Sequence, residues 1–416
     1  MNTPTDENRR GLRATRAAEG VALAGLLVYA MAAPHSIAGS WMGLSVAVLG
    51  WLARTLLTRR AGVRRSLMDA PLWLLFAWTV LSSALSYEPQ ESLPKLVNAA
   101  TFLVFYVAQS LLTRRRVVML ALVMIASGVA GVLWSLGELA VGRGVVVTEV
   151  RAESPFRATL LQAGDAVWRV NGRRVSSIAE VDERVRAAKA GEPLRVSVIS
   201  RGEHVEWQAP PVTEESKTAP SPSGLAGGGP TRSFRASGWT RHYETHAECL
   251  QMIAQLALGL ALALWLRRGP RAHALLAAAA FALLALGVAL TAMRTVLVAF
   301  AVGALVVAWR AGIGRRARLL VAAAVVVVLA LGALTVWRTR AGGALRLGDA
   351  SSSTRLRVAT VAASRVPLHP VFGHGMDAAH RHWREWGFPG DDMLHAHSTP
   401  VQLAFERGLP ARALWL

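Results

Sequence analysis

The chain has one cysteine, Cys249, in 416 residues. This excludes a disulfide framework and any multi-cysteine zinc site, and suits either redox compartment. Acidic residues are scarce: 26 Asp and Glu stand against 46 Lys and Arg, a net charge of +20. Charged residues make up only 17% of the sequence and hydrophobic ones 53%, a balance that excludes an ordinary soluble domain. No His-Glu-x-x-His run and no Gly-x-Ser-x-Gly elbow occurs, which removes the usual metalloprotease and serine-hydrolase signatures. The basic excess alone would suit nucleic acid. Its residues, however, fall in short clusters between long apolar runs, which is a membrane pattern, so nucleic acid is not an expected partner and membrane lipid is.

Apolar stretches of roughly 17 to 25 residues mark spans near 18–34, 38–57, 70–86, 96–112, 117–140, 249–266, 272–291, 295–309 and 319–337. A tenth begins near Val401 and stops at Leu416, so residues 401–416 read as the start of a further membrane helix in a C-terminally incomplete sequence. Cationic residues cluster before span one (Arg9, Arg10, Arg13, Arg16) and after spans two (Arg59, Arg60, Arg64, Arg65), four (Arg114 to Arg116), six (Arg267, Arg268, Arg271) and eight (Arg310, Arg315, Arg316, Arg318). All five clusters share one face if the N-terminus is cytoplasmic. The sequence therefore divides into membrane helices at 1–140, hydrophilic outer segments at 141–248 and 338–400, and further membrane helices at 249–337. The expected setting is the bacterial inner membrane, multi-pass, with the outer segments periplasmic. Ten of the eleven histidines then lie outside, six of them between His369 and His397. A histidine-dense outer loop is a place to expect proton chemistry.

Residues 141–212 change character. GVVVTEV, LRVSVIS and HVEWQAP alternate as strands, Ala163-Gly164-Asp165 and Asn171-Gly172 read as tight turns, and Val181, Val185 and Ala188 share the inner side of a short helix. The run SPFRATLLQAGDAVWRVNGRRV resembles a PDZ domain of the bacterial type over about 70 residues. The expected fold is therefore a polytopic α-helical membrane protein, with about nine to ten or more transmembrane helices and an inserted small α/β PDZ-like periplasmic domain. The resemblance implies either a groove for a peptide ligand added as an extra strand or a spacer or lid without one. Residues 213–248 follow as a Pro/Gly/Ser-rich flexible linker and a pre-helix segment.

The segment 338–400 opens with a helical pattern carrying Leu356, Val358, Val361 and Ala362 on one side, with Arg355 free to face elsewhere. Then come the Pro-x-x-Pro-x-x-Gly-x-Gly turn at Pro367 to Gly375, His395-Ala396-His397, and Glu406-Arg407-Gly408-Leu409. This order resembles the signature loop of the O-antigen ligase and polymerase superfamily of membrane glycosyltransferases. Arg294 in LTAMRTVLVAF resembles the family's membrane-edge arginine, and RASGWTRHYETHAECLQM its pre-helix motif. The residue after the second histidine is often Asn in the family and is Ser398 here.

The resemblance implies metal-independent transfer of a glycan, without a cofactor, from an undecaprenyl-diphosphate carrier to a hydroxyl acceptor. That acceptor is a glycan, lipid A core or a protein. On the same basis Arg294, Arg355 and Arg357, with His242 and His246, are the expected substrate-binding residues, and His397 with His395 the expected catalytic bases. The chemistry agrees: guanidiniums accept a diphosphate bidentately, and a neutral imidazole suits removal of a hydroxyl proton. Trp383 and Trp386 are expected as interfacial anchors ahead of sugar-stacking rings. Two rival readings are weighed. A metal hydrolase would use His395 and His397 with Asp391 and Asp392, or with His380 and His382. A transporter or flippase-like carrier of lipid-linked glycan would be expected to hold ionisable groups within its spans, and these spans are nearly free of them.

Overall fold

The computed structural model describes residues 6–200, 202–240, 242–339, 350–390 and 395–416. In chain order the elements are α1 (Asp6–Ala32), α2 (Ile37–Thr58), α3 (Asp69–Leu85), α4 (Pro89–Ser92), α5 (Leu96–Ala99), α6 (Leu103–Leu111) and α7 (Arg114–Val141). A small sheet follows, built from β1 (Val145–Val150), β2 (Ala166–Val170), β3 (Arg173–Arg174), α8 (Ile178–Arg186), β4 (Pro193–Ser200), β5 (Glu203–Pro211), α9 (Glu214–Thr218) and β6 (Leu225–Gly227). The chain then returns to helices: α10 (Tyr243–Leu266), α11 (Arg271–Leu290), α12 (Arg294–Arg310), α13 (Arg315–Thr339), α14 (Ala350–Arg365), α15 (Ala378–His382) and α16 (Thr399–Trp415).

Six helices among the described residues are long and apolar enough to cross a membrane: α1 from Arg10, α2, α7, α10, α11 and α13. They coincide with six of the nine expected spans. The stretches expected at 70–86 and 295–309 form α3 and α12, of 17 residues each. At 1.5 Å per residue that is about 26 Å, at the lower limit for a hydrocarbon core of about 30 Å. The stretch at 96–112 is broken by a 3₁₀ turn at Ala100–Phe102, where the Thr101 hydroxyl donates to the Asn98 carbonyl.

The chain divides into two compact units. One comprises residues 1–28, 41–117 and 346–416. In it α1 and α2 meet through glycines: a Cβ on Gly50 would lie 2.5 Å from the Ala22 nitrogen, and one on Gly25 2.3 Å from that of Ala47. Apolar helices in lipid gain little from burying methylenes, so close backbone approach through small residues is how they pack.

The other unit comprises residues 29–40 and 118–345. Its helical core joins α7, α10, α11, α12 and α13 around Leu250, Leu284 and Phe300, all fully buried. The sheet has the order β5-β4-β2-β1-β6, with β3 beside β2 and every pairing among these strands antiparallel. Local sequence explains it: Asn171 and Gly172 take positive φ at the β2–β3 turn, and Val181 and Val185 bury one face of α8 against Val147, Val167 and Val196. The segment expected as a flexible linker within 213–248 is instead built into this unit. It supplies α9 and β6, and Ser223, Leu225, Phe234 and Ala236 are buried. Backbone pairing, rather than an apolar period, is what fixes it.

The glycine contacts predict that Gly50→Val, an overpacking change of about 1–3 kcal/mol, lowers the unfolding temperature of the detergent-solubilised protein. Gly20→Val on the partner helix α1, where a Cβ meets nothing within 4 Å, should leave it nearly unchanged. Equal shifts in the two variants would contradict the packing.

Candidate functional site

The Pro-rich turn after α14 is held on two sides by backbone. After the 3₁₀ turn Val366–Leu368, the His374 N–H donates to the Phe405 carbonyl at 2.8 Å and the Gly375 N–H to that of Glu406 at 2.9 Å. On the other side, the Glu88 N–H donates to the His374 carbonyl at 3.0 Å, and the Leu409 N–H closes onto the Pro370 carbonyl at 2.8 Å. This approach requires glycine at 408. Its φ of 81° and ψ of 170° break α16, and a Cβ there would lie 1.8 Å from the Val371 oxygen. The Gly-x-Gly and Glu-x-Gly-Leu motifs, far apart in sequence order, are thus two halves of one backbone contact.

Around this frame the side chains fall into a buried aromatic layer and a charged layer. His374 is 2% exposed; its Nε2 lies 3.0 Å from the Arg365 carbonyl, and its ring stacks on Phe405 at 4.8 Å and packs against Trp386 at 4.9 Å. Burial lowers its pKa below the ordinary histidine value, which keeps this imidazole neutral. The Arg365 guanidinium sits over the Trp386 ring and donates to the Trp386 carbonyl at 3.2 Å. Trp383 and Trp386, expected as interfacial anchors, are instead buried with Val358, Ala362 and Phe405, because they fill the space between α14, α15 and α16.

In the charged layer His382 lies 2.7 Å from both Glu88 and Glu385, Arg381 3.1 Å from Glu91, and Lys95 2.5 Å from Asp377. Glu406 accepts from Gln402 Nε2 at 2.6 Å and from the Asp377 N–H at 3.3 Å. The segment 86–95, which the sequence marks only as a short loop between spans, therefore supplies the acidic partners of the histidine-rich segment. The charged residues Glu88, Glu91 and Lys95 are the available signal, but nothing local ties them to residues some 290 positions away.

The expected site residues separate between the units. In the first unit Arg355 is half-buried on α14 and Arg357 exposed. α14 packs against α16, and the two imidazoles at 395 and 397 sit just before α16. His395 and His397 are both exposed, flanking a buried Ala396 whose N–H is held 2.5 Å from Gln402 Oε1. His397 adopts φ 52°, directly before Ser398 at the helix N-cap. Asp391 and Asp392 lie outside the described residues. Among the described residues no group of three or more His, Cys, Asp or Glu side chains is close enough to hold a metal ion.

In the second unit Arg294 is half-buried at the first position of α12, and His242 is exposed ahead of α10. His246, expected to touch substrate, is fully buried: a Cβ on Gly238 would lie 2.6 Å from its ring and one on Gly131 3.2 Å. It faces inward at the first turn of α10, so packing is its role here.

Hydrogen bonding to Glu385 first, then Glu88, raises the His382 pKa above the ordinary value of about 6.5. The folded protein binds this proton more tightly than the unfolded chain. Its stabilisation is therefore complete below about pH 6.5 and fades as pH rises through the folded-state value. His382→Gln should lower the unfolding temperature more at pH 6 than at pH 9; equal losses at both would contradict the pairing.

Comparison with protein families agrees with this architecture. Residues 279–416 match the O-antigen ligase family model, and residues 118–209 match that of the PDZ domain. No curated protein and no solved structure matches the chain.

Proposed function

We propose that the protein is a membrane glycosyltransferase of cell-surface polysaccharide biosynthesis, working on the outer face of the bacterial inner membrane. It transfers a glycan from an undecaprenyl-diphosphate carrier to a hydroxyl acceptor. The observation that carries this reading is the paired turn of the first unit, bonded through its backbone to α16 inside the ligase-matching region, with Arg355 on the neighbouring α14 and His397 just ahead of α16.

In the reaction the acceptor oxygen attacks the anomeric carbon, and the bond from that carbon to the diphosphate oxygen breaks. The electron pair leaves with the diphosphate, and His397 takes the acceptor proton. A neutral imidazole is the side chain suited to this transfer, and general-base catalysis contributes about 10²–10⁴-fold. Arg355 neutralises the charge that develops on the leaving diphosphate through paired N–H donors. Arg357, exposed one residue pair along α14, serves the same anion less directly, and His395 is the second candidate base. The role for Arg294 rests on its sequence pattern at the head of α12. The exposed His242 is retained as a substrate contact on its own unit. The N-terminus is placed in the cytoplasm, and the sheet domain and the histidine-rich segment outside, on the distribution of arginine clusters.

The test is purified protein in proteoliposomes given lipid-linked donor and hydroxyl acceptor. His397→Ala should lower kcat by about 10²-fold or more while donor binding persists, and full activity in that variant would remove the base. Arg355→Lys should weaken use of the donor, since an ammonium keeps the charge but loses the fork. Arg294→Ala is expected to raise the donor KM; unchanged donor kinetics would count against its role.

A further inference from the structure

We propose that the ligand groove of the PDZ-like domain is filled by the chain's own residues 223–229, so that the domain acts as an internal clamp on the segment leading into α10. PDZ domains take an extended peptide as an added strand on an open sheet edge. Here the edge of β1 opposite β2 is not open, and the strand that covers it touches α8. β6 runs antiparallel along it, with Val147 opposite Gly227, Glu149 opposite Ala226 and Val150 opposite Leu225. The pairing extends in both directions. The Arg151 N–H donates to the Gly224 carbonyl at 2.9 Å, the Val146 N–H to Gly229 at 3.1 Å and the Gly228 N–H to Val146 at 2.8 Å; Arg143 and Thr231 exchange a further pair.

The other side of the segment is read by α8 and its neighbours as a ligand would be. Asp182 accepts from the Ser223 N–H at 2.9 Å and from the Ser223 hydroxyl at 2.5 Å, and the Ser154 hydroxyl donates to the Ser223 carbonyl at 2.6 Å. Leu225 is 2% exposed and belongs to the same core as Val147, Val181 and Val185. Gly227 passes so close to α8 that a Cβ would lie 2.8 Å from Ile178 Cδ1. The groove thus selects an uncharged strand with a hydroxyl donor, a leucine two residues on and a glycine two further. Residues 218–231 contain no charged side chain.

Only nine residues separate the end of β5 at Pro211 from Ser221. A tether that short gives an effective concentration of order millimolar. A free peptide of the same sequence must compete with that, so a partner acting through this groove has first to displace residues 223–229. Such a partner would present an extended, uncharged Ser-x-Leu-x-Gly segment.

Cross-linking in the full chain tests the pairing. In a Cys249→Ser background, Glu149→Cys with Ala226→Cys places two exposed or half-exposed partners at the Cα separation that a disulfide needs. Arg195→Cys with Gln208→Cys on β4 and β5 is the matched control. Mild oxidation should close the 149–226 pair as completely as the control, read by loss of maleimide labelling. A control that closes while 149–226 stays reduced would overturn the clamp. Amide exchange on the unsubstituted protein gives an independent reading. Val146, Arg151 and Gly228 should be protected like the β4–β5 amides, and exchange at those three at the rate of open loops would equally overturn it. A labelled peptide of residues 219–231 should bind a Leu225→Asp variant at least about tenfold more tightly than the unsubstituted protein; equal binding would contradict self-occupation.

Discussion

Everything proposed for the first unit depends on one backbone constraint: Gly408 lets α16 break and pass within hydrogen-bonding distance of the turn at 370–375. The Leu409 N–H reaches Pro370, and the Phe405 and Glu406 carbonyls receive His374 and Gly375. Because the turn also receives Glu88, three segments distant in sequence are locked without relying on side-chain packing. Side chains then settle onto a fixed frame. The neutral His374 fills the apolar layer, and the Glu88–His382–Glu385 and Lys95–Asp377 pairs close the polar one. The exposed imidazoles at 395 and 397 lie just before α16, which packs against the α14 helix that carries Arg355.

Six histidines within thirty residues thus divide their labour by burial. His374 and His382 are occupied structurally, one by aromatic rings and the Arg365 carbonyl, the other by two carboxylates. His395 and His397, by contrast, are exposed on either side of the buried Ala396. The same contrast recurs in the second unit, where His242 is exposed and His246, four residues on, is packed against glycines. One helical turn is enough to separate an exposed imidazole from a fully buried one.

What the sequence reveals and what it hides follow from the range of the interactions. The long apolar runs, the alternating valines of the sheet and the Asn171-Gly172 turn are local patterns, and they read directly. The 3₁₀ break at 100–102 is invisible to hydropathy, since Ala-Thr-Phe interrupts no apolar run. β6 is hidden for a different reason: Ser-Gly-Leu-Ala-Gly has one large apolar residue and reads as a linker, and only its pairing to β1 makes it a strand. Trp383 and Trp386 look like interfacial rings by type and are buried by tertiary packing. Motif order points to Arg355 and His397, yet it gives no hint that Glu88, Glu91 and Lys95 pair with His382, Arg381 and Asp377.

The most direct measurement of the central claim is stoichiometry. Purified protein in vesicles is given undecaprenyl-diphosphate-linked glycan and acceptor, and both the new glycosidic product and the released undecaprenyl diphosphate are counted. A transferase yields them one for one. Donor that crosses the bilayer intact, with no diphosphate released and no product formed, would mark a carrier and contradict the account.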